Sequence, residues 1–521
     1  LDVSENSKDG KVDVYNELVK TDITLQKQDS RTGEPVAGAV FGFYSRDNIY
    51  DRKGNVIVSA GEKIATVATD ENGVAKMPFN VPVMDEGYGK VNEQGKLINE
   101  ALNSGNYYFL EESVSDSYYI DREMHDVHLE YKNQDTATVT AKVMVKENQT
   151  ETVISKRMIA SSVEIKDCHL KISDENGNEI ISWISGDISS VKLNENLKKM
   201  GYSNVHVEKD NVYNEKSNDY ALRIYGLLKN REYILTETRP ADGFVSADDV
   251  TFEIAESDSA YGKTRVVIKN NGISKMLSDN KVVMYDDTTK IEFSKKDITN
   301  GGELSGCHMQ VTEKDTGKIM DEWVSTEESH VIEGKYAVGK TYVLTEKQPR
   351  DGYATAESIE FTVSDDGRVQ KVSMTDDTIK VQFNKTGSDT KKQLSGAKYK
   401  VYDSRGRKVY EFTTGKNAEL IEGILKAGET YTFKEVSSPK HYKVAGDKKI
   451  KIKDTGKLQK LTVVDERIPE VPDTPQTGIK GKTAGMMISL ISLLMALGCF
   501  ACVRAKDKSL IRIIAFTVHH T

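Results

Sequence analysis

The stretch YVLTEKQPRDGY, from Tyr342 to Tyr353, decides the fold. Tyr342, Leu344 and Glu346 are two residues apart, so in a β-strand all three side chains point to one face of the sheet. A single charged residue on an apolar face is usually a strand-end residue that reaches water. A glutamate that instead turns inward beside an aromatic and an aliphatic residue needs a buried partner.

The same pattern occurs four times, and this internal repeat is the most informative feature of the chain. Each copy carries an aromatic residue, an apolar residue and a glutamate at steps of two. A surface glutamate would not be expected to recur in this frame, so the repeat favours an inward glutamate in every unit. The copies are YYFLEESVSDSY from Tyr107, YILTETRPADGF from Tyr233, YVLTEKQPRDGY from Tyr342 and YTFKEVSSPKHY from Tyr431, with Glu111, Glu237, Glu346 and Glu435.

Two further charged positions recur on apolar strand faces. A lysine opens each unit and an aspartate closes the later ones, and where another unit follows, its lysine comes nine residues after the aspartate. One unit's last strand therefore leads directly into the next unit's first. The lysines lie in ITLQKQD (Lys27), VISKRM (Lys156), IEFSKKD (Lys295) and VQFNKTG (Lys385), and the aspartates in VVMYDD (Asp286), VSMTDD (Asp376) and LTVVDE (Asp465).

Burying three unpaired charges in one unit would cost much free energy, so the lysine, glutamate and aspartate are expected to lie in contact. The simpler outcome is a buried ion cluster. The other outcome is chemistry, because an apolar site favours a neutral amine and a neutral acid. The amine can then attack the aspartate carboxyl carbon while the glutamate moves protons, leaving an intramolecular Lys–Asp isopeptide bond.

These motifs resemble the CnaB-type domains, also called prealbumin-like or SpaA-type pilin domains, of Gram-positive surface proteins. The resemblance rests on the lysine opening, the YxLxETxxPxGY box and the closing acidic residue, and covers residues 21–468. It implies an all-β fold of tandem Ig-like, prealbumin-like β-sandwiches in a rod, with lysine and acceptor on adjacent first and last strands. It also implies three triads with a catalytic glutamate: Lys156–Glu237–Asp286, Lys295–Glu346–Asp376 and Lys385–Glu435–Asp465.

The first unit departs from this pattern. Its box has serines where proline and glycine are usual, and Glu147 stands at the acceptor position, nine residues before Lys156. Asn148 is the better chemical acceptor, but the pleat points it outward unless a bulge intervenes. We expect no bond in this unit, or one from Lys27 to Asn148 with Glu111 as the catalytic residue. The Lys27 site is otherwise an ion pair.

Composition excludes several other functions. The net charge of −9 is spread without a basic patch, so nucleic-acid binding is not expected. No zinc pattern, phosphate loop or nucleophile elbow occurs, so neither metal nor cofactor is predicted, and no turnover enzyme either. Cys168 and Cys307 hold equivalent positions in two repeats, which favours two buried small residues over one disulfide.

The pattern of the C-terminal region predicts a cell-wall anchor. Residues 484–503 are twenty residues without a charge, enough to cross a bilayer, and basic residues follow. TPQTG, formed by Thr474, Pro475, Gln476, Thr477 and Gly478, is similar to the LPxTG sorting signal. A sortase would cleave after Thr477 and pass it to a peptidoglycan cross-bridge amine. This arrangement predicts an extracellular, wall-anchored protein that spans the membrane before cleavage.

Together these features predict a surface stalk, an adhesin or pilin-like protein. Two alternatives are a module that binds host extracellular matrix or glycan through long polar loops at 85–103 and 186–219, and the stalk of an exported enzyme whose catalytic domain lies upstream. Asn16 would be the acceptor of a preceding repeat. The predicted segments are that repeat's end (1–20), unit one (21–150), unit two (151–290), unit three (291–380), unit four (381–468), the linker with the sorting signal (469–483), a transmembrane helix (484–503) and a cytoplasmic tail (504–521).

Overall fold

The computed structural model describes residues 19–50, 55–84, 94, 103–132, 136–202, 204–256, 264–269, 276–278 and 280–470. Over these ranges every regular element is a β-strand. They contain no helix of the length and apolarity that a membrane crossing requires. The predicted transmembrane helix, the sorting signal and Asn16 lie outside the described residues.

Unit three has the simplest architecture, two facing sheets of three and four strands. Its strands follow those of units one and two in chain order. They are β21 (Lys290–Asp297), β22 (His308–Glu313), β23 (Ile319–Val324), β24 (His330–Glu333), β25 (Thr341–Gln348), β26 (Ile359–Thr362) and β27 (Val369–Asp376). The sheets have the orders β24-β21-β27 and β23-β22-β25-β26.

Unit four repeats this topology strand for strand. It consists of β28 (Lys380–Gly387), β29 (Lys398–Tyr402), β30 (Lys408–Thr413), β31 (Glu419–Glu422), β32 (Thr430–Ser437), β33 (Lys448–Lys451) and β34 (Gln459–Asp465). Its sheets have the orders β31-β28-β34 and β30-β29-β32-β33.

Unit one keeps the two sheets and adds a small hairpin. It consists of β1 (Lys20–Asp29), β2 (Val40–Ser45), β3 (Ile49–Tyr50), β4 (Val56–Val58), β5 (Lys63–Ala68), β6 (Val74–Lys76), β7 (Asn106–Ser113), β8 (His125–His128) and β9 (Thr138–Glu147). The sheets are β6-β1-β9 and β5-β2-β7-β8, and β3 pairs with β4.

Within its described residues, unit two has wider sheets, of five and six strands. It consists of β10 (Glu151–Met158), β11 (His169–Asp174), β12 (Glu179–Ile184), β13 (Asp187–Leu193), β14 (His206–Lys209), β15 (Leu222–Tyr225), β16 (Glu232–Arg239), β17 (Val250–Glu256), β18 (Thr264–Ile268), β19 (Met276–Ser278) and β20 (Lys281–Asp286). The orders are β14-β15-β10-β20-β19 and β13-β12-β11-β16-β17-β18.

The prediction of a polar loop over 186–219 is wrong. This segment supplies β13 and β14, each at the edge of one sheet. Leu197, Tyr202 and Val205 lie between these strands and are buried in the core of unit two. These apolar side chains hold the segment on the sandwich, so it does not form the free loop that a ligand-binding role was expected to use. The loop predicted at 85–103 falls almost wholly outside the described residues.

The core of each unit lies between its two sheets. In unit three, Ile291 and Phe293 of β21 face Val311 of β22 and Leu344 of β25. Alternate residues of these strands are buried, as expected for a sheet that covers a core on one face. This alternation is what turns the repeated charged residues toward the interior.

The first and last strands of every unit are parallel neighbours. In unit three, β21 pairs with β27 so that Lys295 lies opposite Met374 and Asp297 opposite Asp376. Lys295 and Asp376 are therefore diagonal neighbours on one face, within reach of a long side chain. The strand pairs β1–β9, β10–β20 and β28–β34 have the same parallel arrangement.

Hydrogen bonds join each unit to the next. The Thr289 N–H donates to the Gly243 carbonyl of the box in unit two, and the Thr289 carbonyl accepts from the Gly334 N–H of unit three, both at 2.9 Å. A Cβ atom on Gly243 would lie 2.4 Å from the Gly334 oxygen, so the box glycine permits this close approach. Equivalent bonds link Ser117, Thr150 and Gly226, and Gly352, Ile379 and Gly423.

Candidate functional site

In unit three the site is built from three strands of the two sheets. Lys295 on β21 and Asp376 on β27 come from one sheet, and Glu346 on β25 comes from the other, across the core. The Lys295 Nζ atom contacts the Asp376 carboxylate and lies 3.0 Å from Glu346 Oε1. All three residues are at most 4% exposed. The predicted triad residues thus lie together in the interior.

The glutamate is fixed by a bulge and by a backbone donor. The β22–β25 pairing shifts register directly after Glu346, because Met309 lies opposite Glu346 while His308 lies opposite Gln348. Such a bulge re-aims the strand at that point. The Ala356 N–H donates to Glu346 Oε2 at 2.7 Å, which leaves Oε1 toward the lysine. The same donor, ten residues after the glutamate, occurs for Glu111, Glu237 and Glu435 at 2.6, 2.9 and 2.6 Å.

Units two and four bring the same three groups together. Lys156 Nζ contacts Asp286 and lies 3.0 Å from Glu237 Oε1. Lys385 Nζ contacts Asp465 and lies 2.9 Å from Glu435 Oε2. These six residues are also buried.

The acceptor carboxyl groups are held near their neutral form. Burial raises the pKa of Asp286 and of Asp376 to about 7, and the attraction of the lysine only partly offsets this. Burial likewise raises the pKa of Asp465. Near neutral pH the sites of units two and three can therefore hold a protonated aspartic acid in contact with the lysine.

Units two and three each add a thiol. The Cys307 Sγ–H donates to Asp376 Oδ2 at 3.7 Å, and burial raises the pKa of Cys307 to about 11. Cys168 holds the same position in unit two, with a pKa raised to about 12 by burial. Both cysteines are free and buried.

The thiols and carboxylates are also the groups that could hold a metal ion. In units two and three the cysteine sulfur and the glutamate and aspartate oxygens come within 4.8 Å of one another. In both units the lysine Nζ atom already contacts the aspartate and lies 3.0 Å from the glutamate. A cation would have to displace this ammonium, so the donor sets fit a lysine better than a metal.

Unit four adds a hydroxyl. Lys385 Nζ donates to the Tyr399 hydroxyl at 2.7 Å, and burial followed by the Glu435 charge raises the pKa of Tyr399. Tyr399 lies opposite Glu435 on the paired strand. The equivalent residues in the other units are Phe41, Leu170 and Met309. A tyrosine in a core position gives little signal in the sequence, and its role was not predicted.

Unit one brings Lys27 to two glutamates and leaves Asn148 outside. Lys27 Nζ lies 2.6 Å from Glu111 Oε1 and contacts Glu147 Oε2. The Asn148 side chain instead accepts a hydrogen bond from Ser30 Oγ at 2.7 Å on the surface. The bulge that would have turned Asn148 inward is not present, since β1 and β9 pair in constant register from Lys20 to Asp29.

The family of this chain follows from the sequence. The chain belongs to the SpaA family of prealbumin-like fold domains, whose family model matches residues 21–144, 289–378 and 379–467, more than half of the chain. These segments correspond to units one, three and four. No curated protein matches the chain.

Solved structures with similar folds include proteins from three bacteria. They are the Bacillus anthracis TIE protein (13% identity, covering 85% of this chain and 74% of that one, TM-score 0.31), BcpA, the major pilin subunit of Bacillus cereus (14%, 69% and 99%, 0.25), and the shaft pilin SpaA from Lactobacillus rhamnosus GG (16%, 35% and 99%, 0.21).

Proposed function

We propose that the chain is a structural stalk of a cell-surface protein, an adhesin or pilin-like protein, whose units two, three and four are each closed by an autocatalytic Lys–Asp isopeptide bond. One observation carries the proposal. A buried lysine contacts a buried aspartate beside a buried glutamate in all three units, always between the first and last strands. Membership of a family of pilin-type domains supports the same function class.

The bond requires a balanced transfer of two protons. With Asp376 protonated, Lys295 passes one proton to Glu346 and its neutral Nζ attacks the Asp376 carboxyl carbon. An N–C bond forms and a C–O bond breaks. The hydroxyl takes the proton from Glu346 and leaves as water, and the attacking nitrogen then gives its second proton to Glu346, which ends the reaction protonated. Each unit therefore loses one water, once, without turnover.

The mechanical consequence follows from the topology. Force on a tandem chain enters a unit at its first strand and leaves it at its last, and in unit three these are the two strands that the bond would join. The segment from Lys295 to Asp376, which lie 81 positions apart, would then be shielded from extension. Release of this segment would add about 290 Å of contour length, since an extended chain spans at most about 3.6 Å per residue.

Single-molecule pulling on the full chain tests the stalk function. Native molecules are expected to lack the extension events of units two, three and four. Glu346→Ala should restore one event, of about 290 Å less the folded length, for unit three. Glu360→Ala, an exposed glutamate of the same unit, is the matched control and should restore none. Native chains that already extend at all units would contradict the proposal.

We further propose that sortase anchors the chain to peptidoglycan through the TPQTG segment. Its place before a long uncharged run and a basic tail supports this. In a Gram-positive host, the native chain should be released from cells by digestion of the wall. Thr477→Ala should leave it in the membrane fraction, whereas Thr483→Ala, outside the signal, should not. Equal release of both variants would contradict anchoring.

A further inference from the structure

The site in unit one has the same parts as the other three. Lys27 on β1, Glu111 on β7 and Glu147 on β9 are at most 4% exposed. Glu111 is held by the Asp121 N–H at 2.6 Å, as the other glutamates are held by the residue ten positions later. Glu111 Oε1 then lies 2.6 Å from Lys27 Nζ. Unit one therefore has the lysine and the proton acceptor in working positions.

Glu147 occupies the acceptor position of the strand register. It lies opposite Asp29 in the β1–β9 pairing, as Asp376 lies opposite Asp297 in unit three. The extra methylene of glutamate does not carry its carboxyl group past the amine, because Glu147 Oε2 contacts Lys27 Nζ directly. The carboxyl group thus has the relation to the amine that the aspartates have in the other units.

We propose that unit one closes itself with an isopeptide bond between the Lys27 Nζ atom and the δ-carboxyl group of Glu147. This inference rests on the chemistry proposed for the Lys–Asp sites and extends it to a different acceptor. The neutral Nζ atom of Lys27 attacks the Glu147 Cδ atom, Glu111 takes the proton and returns it to the departing hydroxyl, and one water leaves. The bond would join β1 to β9, the strands that begin and end the unit.

The charges of the site agree with this assignment. Burial raises the pKa of Glu147 to about 8, and the nearby Glu111 charge adds to the increase. At neutral pH Glu147 is then the neutral acid, in contact with the Lys27 Nζ atom. This is the arrangement from which proton transfer between Lys27 and Glu111 yields a neutral amine beside a neutral acid.

The alternative acceptor is disfavoured by position. Asn148 follows Glu147 and therefore points to the other face of the strand. Its side chain is engaged with Ser30 at the surface, and its N–H donates to Glu147 Oε1 at 3.2 Å. A bond to Asn148 would also release ammonia where a bond to Glu147 releases water. The two acceptors can therefore be told apart by mass.

Peptide mapping of the full native chain by mass spectrometry tests the inference. We expect a branched peptide that joins Lys27 to Glu147, one water lighter than its two parts, in the same yield as the peptide that joins Lys295 to Asp376. Fragmentation locates the acceptor. A branched peptide at Asn148, or an unbranched Lys27 peptide beside a branched Lys295 peptide, would overturn the inference and leave the proposed function intact.

Variants separate catalysis from general damage. Glu111→Gln should reduce the Lys27 branch at least ten-fold, whereas Glu112→Gln, next to it and facing outward to Lys63, should leave the branch unchanged. Asn148→Ala should also leave it unchanged. The unit three branch in the same molecules serves as an internal standard. If neither branch occurs in the native chain, the proposed function fails together with this inference.

Discussion

Replacing Glu346 by glutamine should unlock unit three while keeping its shape. The variant keeps the side-chain volume and the acceptor oxygen for the Ala356 N–H, but it cannot take the proton that Lys295 must lose. The native cross-link would close a loop of 81 residues. The loop-entropy relation gives about 4.5 kcal/mol of stabilisation for a loop of that length, and the unbonded charges would add to the loss.

Native-state hydrogen exchange, read by peptides, measures this effect within one unit. Amides of β21 and β27 that open only by unfolding of unit three should exchange roughly 2,000-fold faster in the variant, since 1.4 kcal/mol corresponds to a factor of about ten. Peptides of unit four should not change, and Glu360→Gln should have no effect on either unit. Equal protection of β21 and β27 in the variant and the native chain would refute the reasoning.

Three further predictions concern the rate of bond formation in unit three, the joint between units three and four, and the Tyr399 hydroxyl of unit four. Because the pKa of Asp376 is raised to about 7, its neutral form is present below pH 7 and lost above it. The rate of bond formation in freshly translated chains should therefore fall about ten-fold from pH 6 to pH 8. A rate that rises over this range would contradict a reaction that starts from the protonated Asp376. Gly352→Ala would place a Cβ atom 2.2 Å from the backbone oxygen of Gly423 in unit four, so the amides at the joint of units three and four should exchange faster. Gly406→Ala is the control, because Gly406 also has a positive φ but open space around it, and its effect should be smaller. Equal effects would exclude the clash as the cause. Tyr399→Phe removes the hydroxyl that accepts a hydrogen bond from Lys385 Nζ, so the unit four bond should form about ten-fold more slowly. The fold should persist, because the equivalent residue of unit one is Phe41. An unchanged rate in a time course of peptide maps would exclude a role for the hydroxyl.

The sequence alone was sufficient to predict which face of each strand points into the core. Tyr342, Leu344 and Glu346 occupy alternate positions of the strand, and a period of two indicates one face of a sheet once it recurs in four copies. The same argument turned Lys295 and Asp376 inward, and the cost of buried charges required that they meet. The structure places these side chains in contact for that reason.

The remaining features depend on contacts that no local period encodes. Leu197, Tyr202 and Val205 anchor the segment of β13 and β14, but their irregular spacing among polar residues resembles a loop. The bulge after each glutamate appears only in the pairing with its neighbour strand. Tyr399 could not be distinguished from an ordinary core residue, because its hydroxyl matters only where it meets the Lys385 amine.

The intact mass of the full native chain tests the central claim most directly. The account predicts a mass four waters below that of the sequence, three from the Lys–Asp sites and one from Lys27 and Glu147. Changing Glu237, Glu346 or Glu435 to alanine should restore one water per variant, beyond the mass change of the substitution. A native mass equal to that of the sequence would mean that the buried charges form ion clusters only, and would contradict the account.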